Sequence, residues 1–160
     1  MINFISNLFG RGELVLSETS SSDASAIAAL HGASFRRGWS EQEVDGLLLD
    51  SHVIAHRATS GGKLIGFIMS RLVEDEAEIL SVAVVARQQG RGCARNLLML
   101  HLRRLAGLGA RAVFLEVDEH NEAAIKLYDR AGFREVSRRP NYYQNFGGKP
   151  ATALILRRDL

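Results

Sequence analysis

The chain has 160 residues, 46% hydrophobic, 7% aromatic and 24% charged, which is the length of one domain and the make-up of an ordinary globular protein rather than of a disordered, coiled-coil or fibrous one. Lys+Arg 20 against Asp+Glu 18 leaves a net charge of +2, too mild to imply nucleic acid, and no apolar run approaches the roughly 18 residues of a membrane span. The single Cys93 excludes an intramolecular disulfide and a cysteine-rich zinc site.

The opening residues lack a basic leader, and Ser6 and Asn7 break their apolar stretch, so they make a poor signal peptide. The expectation is one cytoplasmic domain over residues 1–160, with Met1–Gly12 as an extension. A first strand is predicted at Glu13–Glu18. Asp23–Phe35 carries Ile27, Leu30, His31 and Ser34 at helical spacing. Ser40 and Glu43 form a capping box flanked by the staple pair Trp39 and Val44, which starts a second helix to Asp50. Val53–Ala58 and Lys63–Val73, separated by Ser60-Gly61-Gly62, read as a hairpin. Glu78–Val85 suits a central strand. The next segment, Arg87-Gln88-Gln89-Gly90-Arg91-Gly92-Cys93, leads into an amphipathic helix with Ala94, Leu97, Leu98, Leu102 and Leu105. Strands at Arg111–Val117, Phe133–Arg138 and Ala151–Arg157 follow, with a helix over Asn121–Ala131. The fold class is α/β: a mixed sheet with flanking helices, in which the strands at 78–85 and 111–117 are parallel or splayed because a crossover helix joins them.

Small residues opening a helix leave backbone N–H groups aimed at one point, backed by the positive end of the helix dipole, and a phosphate fits there. Gly90 and Gly92 keep Cβ atoms out of the way, and Arg87, Arg91 and Arg95 add charge within an arginine cluster that continues through Arg103, Arg104 and Arg111. No Gly-Lys-Ser/Thr follows, and Arg95 stands where a dinucleotide fingerprint needs Gly or Ala, so both common nucleotide motifs are disfavoured. From the residues alone, a plain strand-to-helix loop and a phosphate site stay equally open.

Arg87-x-x-Gly90-x-Gly92 after an apolar strand resembles the acetyl-CoA pyrophosphate loop of the GCN5-related N-acetyltransferase (GNAT) superfamily. Leu115-Glu116-Val117, Asn121-x-x-Ala124-Ile125-x-Leu127-Tyr128 and Ala131-Gly132-Phe133 extend the likeness over residues 76–145. Trp39-Ser40-Glu41, Asp75-Glu76-Ala77 and Arg139-Pro140-Asn141-Tyr142-Tyr143 resemble the RimI-like ribosomal-protein-alanine N-acetyltransferases. Val84-Val85-Ala86 departs from the Asp-Pro turn common in the superfamily. The resemblance implies a mostly antiparallel twisted sheet with a central splayed parallel pair. It implies acetyl-CoA as co-substrate, with no metal, and a protein or peptide N-terminus as acceptor, a ribosomal protein in the RimI-like case. The state expected is a monomer or weak dimer acting away from nucleic acid and membranes.

By that resemblance Glu116 is the general base and Tyr128 the acid for the leaving thiolate. Read from the residues alone, the two are a solvated carboxylate and a half-buried core aromatic. Glu78 is a competing base on the acceptor side. Leu80, Val82 and Val84 would hold the pantetheine through their backbone; Arg87, Gln88, Gln89, Gly90, Arg91, Gly92 and Cys93 the pyrophosphate. Asn121 is a good N-cap that also reaches the coenzyme in relatives. Trp39, Tyr142 and Tyr143 would line the acceptor groove. Cys93 reads as a small residue packed under the loop, and His31, His52, His56, His101 and His120 as ordinary. Two rivals remain: a small-amine acetyltransferase, for which a closed acidic pocket is expected, and a non-catalytic acyl-CoA-binding module.

Overall fold

The computed structural model describes residues 12–144 and 150–160, without the side chains of Tyr143 and Gln144; apart from Gly12, the expected extension lies outside the described residues. In chain order the elements are β1 (Leu14–Glu18), α1 (Ala24–Ser34), α2 (Glu41–Leu49), β2 (Val53–Ser60), β3 (Lys63–Val73), β4 (Glu76–Val84), α3 (Cys93–Gly107), β5 (Ala112–Asp118), α4 (Glu122–Arg130), β6 (Arg134–Gln144) and β7 (Pro150–Asp159). Every expected element is present, and β6 runs to Gln144 rather than ending at Arg138 because β7 continues to offer it backbone partners. No helix among the described residues is long and apolar enough to cross a membrane.

The strands form one sheet in the order β1-β2-β3-β4-β5-β7-β6, antiparallel throughout except for β4 and β5. The crossover through α3 imposes that parallel pair. It is short: Glu76↔Ala112, Ala77↔Val113 and Glu78↔Phe114. Past Glu78 the strands part, and the facing backbone edges of Ile79–Val84 and Leu115–Asp118 share no ladder, which opens the sheet at its centre.

Local sequence sets the flanking pieces. Ser40 Oγ accepts from Glu43 N at 3.1 Å and Glu43 Oε2 accepts from Ser40 N at 2.7 Å, which closes the expected capping box on α2. Gly61 and Gly62, at φ +58° and +75°, make the two-residue turn of the β2–β3 hairpin, a conformation that disfavours side chains. Alternation along β3 then divides the core. Ile68 joins Leu97, Leu98, Leu102 and Leu105 of α3 and Val113, Leu115 and Val117 of β5 on one face, where α4 also packs. Phe67 and Met69 join Ile27 and Leu30 of α1 and Val44 of α2 on the other.

Candidate active site

The opening between β4 and β5 leads to the start of α3. Between Ser70↔Ile79 and Met69↔Ser81 the β3–β4 register shifts, leaving Leu80 as the extra residue of a bulge that re-aims β4 at the point where it leaves β5. Ser81 Oγ, just past the bulge, is buried with no hydrogen-bond partner among the described residues. Val82 and Val84 stay paired with Ile68 and Gly66 of β3, so their other edge faces the opening.

A short 3-10 turn at Ala86–Gln88 follows, and Gln89 Nε2 donates to Val84 O at 3.0 Å, tying the loop back to the strand end. Gly90 and Gly92 adopt φ +75° and +84°, and a Cβ on either would meet nothing within 4 Å, so the loop presents open backbone. Gly92 is the N-cap, and the bond from Asn96 N to Gly92 O at 3.0 Å is the first of the helix. The amides of Cys93, Ala94 and Arg95 therefore lack intrahelical partners, which carries the expected cradle of Arg87–Cys93 two residues further into the helix. These open amides, the glycines and the unpaired strand edges suit a long diphosphate-bearing ligand laid along β4. Cys93 itself is buried, and burial pushes its thiol up to about 11, so it stays protonated and serves as packing.

Glu116 lies on β5 two residues past the last β4 pair, on the face opposite Leu115 and Val117, with its side chain 27% exposed. Its Oε1 is 3.3 Å from Arg139 Nη1 of β6, and the Arg139 guanidinium also stands 5.4 Å from the centre of the Tyr142 ring. Tyr128, on α4, packs on the other face of β5, edge-on to Phe133 at 5.6 Å. Burial pushes its hydroxyl up to about 12, which keeps the proton on at neutral pH. Asn121 caps α4, its Oδ1 accepting from Ala124 N at 3.2 Å. Glu78 is exposed on the same sheet face as Glu116, in an open acidic cleft of about 550 Å³ lined by Arg71, Glu74, Asp75, Glu76 and Phe114.

The structure thus gathers Glu116, Arg139 and Tyr142. Trp39 lies in the α1–α2 loop, stacked on His31 at 3.9 Å, and packs onto the same cluster as Leu80; the Tyr143 side chain lies outside the described residues. The arginine cluster does not hold together around the glycines: a helix rises about 1.5 Å per residue, which carries Arg103 and Arg104 roughly 15 Å down α3. Arg104 meets Glu18 at 3.5 Å, and Arg111 meets Asp75 at 3.9 Å. Two of the histidines expected to be ordinary meet in the core. His56 Nδ1 and His101 Nδ1 are 2.7 Å apart in the core, and His101 Nε2 is 2.6 Å from Ser70 Oγ. No sequence signal marks residues 45 apart as partners.

A model of the acetyltransferase (GNAT) family matches residues 24–133. The chain is 37% identical over 91 residues to the [ribosomal protein bS18]-alanine N-acetyltransferase of Escherichia coli K12, covering 57% of this chain and 62% of that one. It is 38% identical over 106 residues to the N-alpha-acetyltransferase RimI of Mycobacterium tuberculosis, covering 64% and 63%; each match spans less than two thirds of the relative. The crystal structure of the E. coli ribosomal-protein-S18-alanine N-acetyltransferase superposes with a TM-score of 0.85 at 29% identity, over 91% of this chain and 93% of that one. With more than half of its length matched, from α1 to Phe133, the chain belongs to the GNAT acetyltransferase family.

Proposed function

We propose that the protein is an acetyl-CoA-dependent N-acetyltransferase that acetylates the N-terminal α-amine of a protein or peptide, a ribosomal protein among the candidates, in the cytoplasm. One observation carries the reading: β4 and β5 part beside the open N-terminus of α3, with a carboxylate on one face of β5 and a protonated phenol on the other. When bound, the coenzyme supplies an activated acetyl carbon and a thiolate leaving group. The amides of Cys93, Ala94 and Arg95, with Gly90, Gly92 and the guanidinium groups of Arg87, Arg91 and Arg95, hold its diphosphate. The free edge of β4 from Leu80 to Val84 holds its amides by strand-like bonds.

Acyl transfer to an amine needs a base for the ammonium and an acid for the leaving thiolate. Glu116 takes the ammonium proton on Oε1 or Oε2, directly or through water, from the exposed face of the sheet. Tyr128 keeps its proton until the thiolate needs it, because burial holds the hydroxyl near 12. Attack in a ternary complex fits a base and an acid on opposite faces. A small-amine enzyme would enclose its acceptor in an acidic pocket; the acidic cleft beside Phe114 lies open instead, which supports an extended acceptor.

The test is CoA release with an Ala-initial peptide. Glu116→Gln is expected to cut kcat about 10²- to 10⁴-fold, and Tyr128→Phe to lower it as well, while calorimetry with CoA gives wild-type affinity for both. Wild-type turnover in both variants would remove the assignment of roles.

A further inference from the structure

We infer that Arg139 is a displaceable counter-ion that occupies the place of the acceptor's ammonium group on Glu116 and so sets the acceptor's KM. The inference rests on the reading of Glu116 as the base, and it concerns what that carboxylate must release before it can act.

The closest approach is Nη1 to Oε1 at 3.3 Å, longer than the about 2.7–2.9 Å usual for a charge-assisted hydrogen bond. The partners are unequally exposed: the Arg139 side chain is 58% accessible and that of Glu116 27%. The carboxylate is fixed in a strand wall, and the guanidinium reaches it from solvent. Arg139 is the last β6 residue in register, opposite Ala153, before the ladder resumes at Tyr143↔Ala151. Three β6 residues, including Pro140 and Asn141 at φ +57°, therefore stand against Thr152 alone, a bulge that turns the strand. The backbone of Arg139 is anchored at the edge of that bulge while its side chain crosses β7 diagonally to β5.

A second station waits for the cation. Tyr142, inside the bulge, lies 5.4 Å from the guanidinium carbon, close enough for a cation–π contact that survives release of Glu116. Asp118, level with Arg139 across β7, is the other carboxylate in that row, and its Oδ1 already accepts from His120 N at 2.8 Å. A pair open to solvent on the Arg139 side, as this one is, is worth about a fivefold factor, weak enough for an incoming ammonium to replace. Acceptor binding then becomes an exchange of one cation for another on a single carboxylate. Salt weakens both pairs alike, so the acceptor's KM stays nearly flat with ionic strength.

The experiment measures kcat and KM for a C-terminally amidated Ala-initial peptide with uncharged side chains, from low salt to about 0.3 M. The proteins compared are wild type, Arg139→Gln and Arg139→Lys. At low salt, Arg139→Gln is expected to lower KM about three- to fivefold, in line with the strength of the pair, and to make KM climb with salt; Arg139→Lys restores the wild-type value and its flat response. A KM that rises or stays put in Arg139→Gln overturns the inference, as does a wild-type KM that climbs with salt as steeply as the variant's. The base reading fails separately, through a fully active Glu116→Gln.

Discussion

Trp39 N donates to Nδ1 of His31 at 3.0 Å, so a buried imidazole accepts the hydrogen bond that pins the α1–α2 loop to α1. An accepting nitrogen has to be unprotonated, and burial also lowers the pKa of His31 below its usual 6.5, with Glu43 opposing weakly. Burial lowers His56 and His101 in the same direction. Glu18 pulls His56 back up, Arg104 pushes it further down, and His56 in turn depresses His101. Folded values below the unfolded one mean that the unfolded chain binds these protons more readily. The stability that neutral burial provides is thus complete above pH 6.5 and is lost as pH falls below it. Each of the three buried histidines adds to that pH dependence for as long as the native state keeps it neutral. Urea midpoints are expected to hold down to about pH 6.5 and to drop from there to pH 5, and His31→Gln, which carries no titrating group, should flatten the slope. Midpoints independent of pH over that span would show that the native state accepts these protons freely.

At the level of elements, α3 approaches the sheet over Gly66 of β3. A Cβ there would lie 3.2 Å from Ala83 O and from side-chain carbons of Leu97 and Val84. The backbone oxygen cannot turn away, so Gly66→Ala is expected to cost about 1–3 kcal/mol, the range for overpacked cores, read as a lower thermal midpoint in calorimetry with the helical signal preserved. That close approach, unlike the capping box of α2, the Gly-Gly hairpin or the strand-loop-helix around Gly92, has no signature in a stretch of sequence. Elements were legible because their causes are local: Ser40 and Glu43 three apart, Gly61 beside Gly62, leucines at helical spacing along α3. The parallel pairing of β4 with β5 was legible too, because a crossover helix joins them, whereas their splay was implied by the likeness of motifs. What stayed hidden depends on register between distant strands. Arg139 reaches Glu116 only because the β6–β7 ladder breaks where it does, and Leu80 bulges only because β3 is one residue short against β4. The arginines misled for the opposite reason: near in sequence, they are spread by the length of a helix. The candidate roles of Glu116 and Tyr128 came from a likeness of motifs; the structure adds that they stand on opposite faces of β5.

The whole molecule is a sheet in two parts, β1 to β4 and β5-β7-β6, which share three residue pairs along β4 and β5. Their remaining connection on one face is the apolar layer in which α3 and α4 pack across both parts. A ligand laid in the opening supplies the backbone partners that Ile79–Val84 and Leu115–Asp118 lack toward each other, and so joins the two parts where the ladder stops. Because such a ligand binds the folded chain alone, it stabilises by mass action, about 2.7 kcal/mol at a hundred times its Kd. For a chain of this size that corresponds to a rise in Tm of about 5–10 °C. CoA is expected to produce that rise in wild type and in Glu116→Gln alike, since the proposed function gives the holding of the coenzyme and the moving of the proton to different residues. Hydrogen exchange should slow most at the amides of Cys93, Ala94 and Arg95 and along β4 past Leu80, and least at the exposed turn of the β2–β3 hairpin, whose amides open locally without global unfolding. Protection confined to the surface of α3, with β4 untouched, would place the coenzyme outside the opening and leave the sheet's central gap without a ligand.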